Sequence, residues 1–317
     1  MLLLIGRRLF FALVTLFLVS LIVFVAVEAL PGDMATAYLG RDATPESLAT
    51  LRDEFGLNDP VYARYITWLG NVVQGDLGTS LVRRKPIMEI IGNRLRNTLV
   101  LGLSASLVGI PLAILLGVFA GLTRDKWPDV VVSTVAIFGM TLPEFVTATV
   151  LIFIFAIQLQ WFPAITAVAT DAPVSELLPN IVLPIITLTL VMVAHILRLV
   201  RTSMIDVMIS DYVRMARLKG VPAMQIVFRH ALPNAMLPTI NIVALTIAWL
   251  LGGVVIIETV FNYPGIGTLM INGISDRDLA LVQGIALILA SIYIAVNLIA
   301  DLLTLVLNPR LRTARGH

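Results

Sequence analysis

The sequence predicts an all-α polytopic membrane protein with six transmembrane helices, and three observations predict it. Of its 317 residues, 58% are hydrophobic and 13% charged, against about 45–50% apolar and about 25% charged in soluble domains. Apolar runs at about 9–30, 98–122, 130–159, 183–199, 237–259 and 279–307 are long enough, at about 1.5 Å per residue, to bridge a hydrocarbon core roughly 30 Å thick. If the six alternate, the lysines and arginines of the short connections fall on one side. The net charge of +2 gives no reason to invoke nucleic acid, and with no cysteine there is neither a disulfide framework nor a thiolate metal site.

The first run follows "GRR" and invites a signal-peptide reading. It is longer than the usual h-region of about 7–15 residues, and Glu28 and "LPGD" (30–33) stand where a small-residue cleavage site would lie. It is therefore read as a retained helix, so that residues 1–30 are a cytoplasmic N-terminus and helix 1. Residues 31–96 are long and mixed in charge, and are read as a small helical extracytoplasmic segment. Residues 97–308 form a five-helix core. Pro111, Gly117, Gly121, Gly139, Pro143 and Pro184 interrupt its runs, which neighbouring helices tolerate by re-satisfying the freed backbone groups. "GVFAG" (117–121) has the small-xxx-small spacing that lets helices approach closely, and is assigned a general packing role.

Orientation follows from charge. Arg7, Arg8, Arg124, Lys126, Arg214, Arg217, Lys219, Arg229, Arg310, Arg312 and Arg315 share one side, whereas 160–180 has no Lys or Arg and the last outer connection only Arg277. Both termini, including the tail at 309–317, are thus expected in the cytoplasm.

That topology also places a polar module, 211–238 ("DYVRMARLKGVPAMQIVFRHALPNAMLP"), in the cytoplasm. Its first half reads as a short helix, with Ser210 or Asp211 accepting from the first free N–H groups, Lys219 near the C-terminus and Gly220 as a left-handed stop. Pro222 is placed to open a second helix, ended or bent at Pro233. Two short helices meeting at a glycine make a protrusion suited to docking another protein.

"ARLKG" (216–220) followed after nine residues by "HALP" (230–233) resembles the EAA loop of permease subunits in ATP-binding-cassette importers. "LPGD", "GDLGTS" (75–80), "VFNYPGIG" (260–267), "VQG" (282–284), "NLIADLL" (297–303) and "NPRLR" (308–312) extend the resemblance over nearly the whole chain, toward the dipeptide, oligopeptide and nickel permease group. The outer segment after helix 1 resembles the first of the two permease subunits. Arg214 and Met215 stand where the glutamate and first alanine of the loop would be.

The resemblance implies a type I importer permease fold with an EAA coupling loop at 206–236. Asp211, Arg214, Ala216, Arg217, Lys219, Gly220, His230 and Pro233 would carry ATPase coupling. It also implies a second homologous permease, two cytoplasmic ATPases and an extracytoplasmic solute-binding protein as partners, in a bacterial inner membrane. This chain would bind no cofactor itself, ATP and Mg being on the partner ATPases. The cargo it permits is a dipeptide or oligopeptide, with short peptides preferred, or a nickel chelate, opine or oligosaccharide.

Ionisable residues inside a bilayer are functional suspects. Glu144, after Pro143, lies either on the translocation path or at a kink, bonding across to a neighbouring helix. Glu258 either faces the outer mouth or caps packing against "VFNYPGIG". Asn241 and Thr246 are further pathway candidates, and Asp301 is read as an intrachain partner of an arginine, such as Arg198 or Arg201, rather than a substrate ligand. His230 reads equally as a packing residue, and Arg217 and Lys219 as positive-inside anchors. His195, His230 and His317 have no ligand spacing, and "PGIG" lacks the Lys-Ser/Thr ending of a phosphate loop. A self-contained carrier leaves the polar module unexplained and would favour inverted repeats that are not evident. An intramembrane protease lacks a nucleophile motif.

Overall fold

The computed structural model describes residues 2–29, 34–39, 44–54, 56–80 and 82–307. The motifs at 30–33 and 308–312 and the tail at 309–317 lie outside the described residues. Helix α1, Leu2–Glu28, is continuous, as expected where no proline or glycine follows Gly6. The segment after α1 holds α2 (Met34–Leu39), α3 (Pro45–Glu54) and α4 (Val61–Val73). It also holds two-residue strands, β1 (Thr79–Ser80) and β2 (Lys85–Pro86), paired antiparallel with Thr79 opposite Pro86. Strands this short leave no alternating pattern for a sequence reading to find.

Helix α5, Ile87–Leu122, starts well before the apolar run at 98. Its 36 residues extend about 54 Å, more than the hydrocarbon layer needs, so the charged turns with Glu89, Arg94 and Arg96 continue the helix beyond it.

The third run is a correction: it is not one straight span. Helix α6 (Trp127–Thr141) ends at Leu142, whose ψ of 128° is extended, and α7 (Glu144–Leu151) restarts after Pro143. Proline disfavours the helical conformation in the residue before it and has no N–H to donate. Helix α7 continues as a π-helical turn, Ile152–Gln158, and the pair is bent by 107°.

Helices α8 (Val174–Asn180), α9 (Val182–Met208), α10 (Asp211–Leu218) and α11 (Ala223–Gln225) follow. A π-helical turn, Ile226–Ala231, runs directly into α12 (Leu232–Gly253). Pro233 therefore neither ends nor breaks the second helix of the polar module; the widened turn before it takes up the altered hydrogen-bond register. Helices α13 (Val255–Val260), α14 (Ile266–Ser275) and α15 (Leu279–Leu307) complete the chain. Five helical stretches are long and apolar enough to cross a membrane, and the bent pair taken as one span makes the six expected.

Helix α9 is the centre: 61% of its apolar window is buried, against at most 33% in the other four unbroken spans. It lies against α5, whose glycines admit it. A Cβ on Gly117 would sit 2.6 Å from Val200 Cβ, one on Gly121 2.7 Å from Met204 Cβ, and one on Gly109 would collide with Met192. Since 109, 117 and 121 meet 192, 200 and 204 in that order, α5 and α9 run parallel. The chain between them must return across the layer, which is the work of the bent pair. The spacing read from "GVFAG" is thus an intrachain helix contact.

Ion pairs lock this packing. Asp129, at the start of α6 and 1% exposed, accepts from Arg201 Nε at 2.5 Å and Nη2 at 2.6 Å, a bidentate pair joining α6 to α9. Arg201 is therefore not the partner of Asp301, which pairs with Arg8 and ties α15 to α1. A smaller second core gathers Leu77, Ile87, Ile91, Ile266, Leu269, Leu281 and Ile285. Above it, Asp278 accepts from Ser80 Oγ at 2.5 Å and Arg83 Nη1 at 3.0 Å, pinning the hairpin to the turn between α14 and α15.

Replacing Gly117 by valine forces new atoms into Val200, an overpacking that costs about 1–3 kcal/mol. A clearly lowered melting temperature is expected for Gly117→Val in detergent. Gly139→Ala should be nearly neutral, because the new Cβ would stand 3.7 Å from Ala194 Cβ in ordinary contact.

Candidate coupling protrusion and translocation pocket

Helix α10 protrudes on the end of the molecule where α9 finishes. Ser210 is extended there (φ −67°, ψ 153°) but makes no side-chain cap; its hydroxyl donates back to Val207 O at 2.5 Å. The expected acceptance by Ser210 or Asp211 is thus absent from the described contacts. The other end is closed as expected. Gly220 has φ +75°, its N–H donates to Arg217 O at 3.0 Å, and Val221 N–H donates to Ala216 O at 3.2 Å. These paired bonds form a Schellman motif, and the left-handed residue in it favours glycine.

Val213 is fully buried in α10, and Ile226 and Val227 are buried in the facing π-helical turn. Around this anchor Asp211, Arg214, Arg217, Lys219 and Pro233 are exposed, with Ala216 and His230 half-buried. Sequence reasoning missed the apolar residues between them: Tyr212, Met215, Leu218, Met224 and Phe228 are all exposed. Apolar side chains rimmed by arginines in this way mark a protein contact surface. The signal was available in sequence as an apolar stripe on a helix otherwise assigned to water.

The break at Pro143 puts Glu144 on the first turn of α7, which packs against α9 and α13. There it lines an open-sided pocket of about 290 Å³ with Val191, Met192 and His195 of α9 and Leu245, Thr246 and Trp249 of α12. His195 Nδ1 lies 2.9 Å from Val191 O; with the proton assigned to Nδ1, Nε2 is left as an acceptor. Thr246 Oγ1 donates to Ile242 O at 2.8 Å, which leaves its oxygen lone pairs for a guest. Among the described residues the pocket thus offers one carboxyl group, one imidazole acceptor, one hydroxyl acceptor and one aromatic plane, on largely apolar walls. His195 and Trp249 were not among the sequence candidates for the pathway. Asn241, one turn before Leu245, is exposed and is not part of this wall.

Glu258 lies elsewhere and is fully buried. Its carboxyl accepts from Thr98 Oγ1 at 2.5 Å, Gly267 N at 2.7 Å and Thr268 N at 3.1 Å, while Thr98 Oγ1 accepts from Ile266 N at 2.9 Å. The free N–H groups that open α14 are thus satisfied by side chains from α13 and α5. Of the two sequence alternatives, the observed position is the packing cap and not the outer mouth.

The glycines of "PGIG" follow from it, since a Cβ on Gly265 would run into the carboxyl and one on Gly267 would lie 2.7 Å from Val255 Cα. Tyr263 Oη donates to Asn97 O at 2.6 Å, and Asn97 Nδ2 donates to Thr170 O and Pro264 O, both at 3.0 Å. Burial first, and the nearby Glu258 second, push the Tyr263 phenol above its usual range, so its hydroxyl stays a donor. No group of three His, Asp or Glu able to hold a metal occurs among the described residues.

Residues 113–313 match the family described as binding-protein-dependent transport system inner membrane component, and residues 1–102 match that family's N-terminal membrane component. The chain is 35% identical, over 96% of its length and 97% of the relative's, to the glutathione transport system permease protein GsiC of Escherichia coli O6:H1. It is 34% identical to the protein of the same name from Escherichia coli K12, over 96% and 97% of the two chains. It is 32% identical to the probable peptide ABC transporter permease protein y4tP of Sinorhizobium fredii, over 96% and 98%.

Glu258→Leu leaves buried N–H donors at the start of α14 without an acceptor, at about 1–3 kcal/mol for each orphaned group. We expect this variant to lose more thermal stability than Thr98→Val, which removes one bridging hydroxyl. Equal melting temperatures for Glu258→Leu and the unsubstituted protein would show that the cap contributes nothing.

Proposed function

We propose, from the premise that this chain belongs to the binding-protein-dependent transport system inner membrane component family of ABC importer permeases, that it forms half of the pathway for short peptides. A second homologous permease closes the open side of the pocket. An extracytoplasmic solute-binding protein delivers the cargo, and two cytoplasmic ATPases, which carry ATP and Mg, dock on the protrusion at 206–236. The chain sits in a bacterial inner membrane with both termini in the cytoplasm and performs no catalysis of its own. Short peptides are supported by the names of its relatives, two of which are glutathione permeases and one a probable peptide permease.

One observation carries the mechanism. The pocket wall is built by α9 (Val191, Met192, His195) and α12 (Leu245, Thr246, Trp249), and these are the helices that lead into and out of the protrusion. A push on α10 is therefore a push on both pocket walls, through two residues at 209–210 on one side and an unbroken helical path from Ala223 on the other. ATP-driven closure of the partner ATPases biases the walls between outward-open and inward-open arrangements, the population shift by which such coupling works. Glu144 answers the ammonium end of a peptide, and Trp249 and Leu245 its side chains.

Gly220→Trp combines a disfavoured backbone conformation with added bulk where a Cβ meets nothing within 4 Å. The strain falls on the exit angle of α10. The assembled complex should remain in the membrane while ATP hydrolysis is uncoupled from uptake in proteoliposomes, and ligand-stimulated uptake at the normal rate would sink this account of the loop. Glu144→Gln should raise the KM for a transported short peptide about tenfold, roughly 1.4 kcal/mol of binding, with basal ATPase activity retained. An unchanged KM would remove Glu144 from the pathway.

A further inference from the structure

A third site is used neither by the coupling protrusion nor by the pocket between α9 and α12. Where α1 ends at Glu28, the loop before α4, α4 itself and the start of α15 enclose a pocket of about 410 Å³ lined by Phe24, Glu28, Asp59, Arg64, Trp68 and Gln283, among others. Aromatic packing holds α4 against α1, with ring centroids 5.2 Å apart for Phe24 and Tyr65 and 5.8 Å for Phe24 and Trp68. Ser20 Oγ and Tyr65 Oη add a hydrogen bond of 2.9 Å.

Two buried donors on this wall have no partner among the described residues: Nε2 of Gln283 and Nε of Arg64. Gln283 is only 4% exposed and is the middle residue of "VQG", a motif the coupling and transport readings leave unused. Arg64 already pairs through Nη2 with Glu28, so its Nε is a second, separate donor. A buried amide at the edge of an apolar layer is costly to leave unpaired. The residues lining the pocket thus include two unpartnered N–H donors, on Gln283 and Arg64, and two carboxyl groups, Asp59 and Glu28, the latter already paired with Arg64 Nη2.

We propose that this pocket binds the headgroup of a zwitterionic phospholipid with a primary ammonium, of the phosphatidylethanolamine class. Its phosphate accepts from Gln283 Nε2 and Arg64 Nε, and its ammonium faces Glu28 and Asp59. The same charges would suit a soluble zwitterion such as a short peptide, but position favours lipid. The site lies where the apolar run of α1 ends, the level at which headgroups and interfacial aromatics meet. Ile22 and Val25, just below it on α1, are 65% and 51% exposed, a surface suited to an acyl chain. Placing the headgroup in the outer leaflet rests on the proposed topology; the identity of the cargo does not enter.

The test uses the assembled importer, delipidated and then returned to vesicles of phosphatidylethanolamine, phosphatidylcholine or phosphatidylglycerol. Lipid retained after re-extraction is counted by native mass spectrometry. The unsubstituted complex should keep one phosphatidylethanolamine about tenfold more tightly than either other lipid. Phosphatidylcholine has a trimethylated ammonium that cannot donate a hydrogen bond, and phosphatidylglycerol carries no cation. Asp59→Asn, which removes a carboxylate that faces the ammonium, should reduce that preference, and Gln283→Glu, which puts an acceptor where a donor stood, should weaken retention of all three lipids.

Equal retention of the three lipids by the unsubstituted complex would overturn the proposal whether or not the variants fold, as would an undiminished preference in Asp59→Asn. Displacement of the retained lipid by triglycine would assign the pocket to a soluble zwitterion instead. Transport is not the readout, so failure here leaves the peptide-permease reading standing, and loss of peptide uptake would not disturb the lipid site.

Discussion

The parallel contact of α5 and α9 is the constraint on which the rest of the molecule depends. Three glycines let the two backbones approach until Val200 and Met204 fill the space that side chains on Gly117 and Gly121 would take. In a bilayer, where no hydrophobic force distinguishes a helix from lipid, close van der Waals packing of this kind is what holds helices together. Because the helices run parallel, the intervening chain must recross the layer. Because α9 is central, that returning segment has to fold against it. The bend at Pro143 satisfies both demands and delivers Glu144 to the same helix face that presents Val191 and His195.

Buried polar groups act as joints between elements that apolar packing alone would leave free to slide. Asp129 and Arg201 fix the start of α6 on α9 by two parallel hydrogen bonds, a geometry that a lysine could not reproduce. Glu258 fixes the start of α14 on α13 and, through Thr98, on α5. Both joints lie toward the ends of the helices they connect. Among the described residues lining the pocket between α9 and α12, His195 and Thr246 bond only to carbonyls of their own helices. Rigid ends and a less constrained middle suit a pathway whose walls must change their spacing while the helices remain intact.

The resemblance to importer permeases, carried by the ordered motifs in the sequence, agrees with the family match over 113–313 and with relatives aligned over 96% of the chain. The structure adds a reason for several motifs. The glycines of "PGIG" make room for a carboxyl group from another helix. Gly284 of "VQG" packs against Ile87 and Leu77, the latter within "GDLGTS". Three motifs that read as separate signatures are thus parts of one assembly around α5, α14 and α15.

By itself the sequence determined the elements whose cause is local. The apolar runs, the charge asymmetry, the left-handed stop at Gly220 and the packing use of Gly117 and Gly121 each depend on residues within a few turns of one another. Tertiary structure decided what depends on partners far along the chain. Asp129 and Arg201 are 72 residues apart, and Thr98 and Glu258 are 160 apart, so neither pairing leaves a local pattern, and although Asp301 pairs with an arginine of the chain as expected, which arginine, Arg8, was likewise not legible. The angle at Pro143 and the uninterrupted passage through Pro233 were likewise decided by packing, because a proline removes one hydrogen bond in either case and only the neighbouring helices determine whether the chain turns or continues.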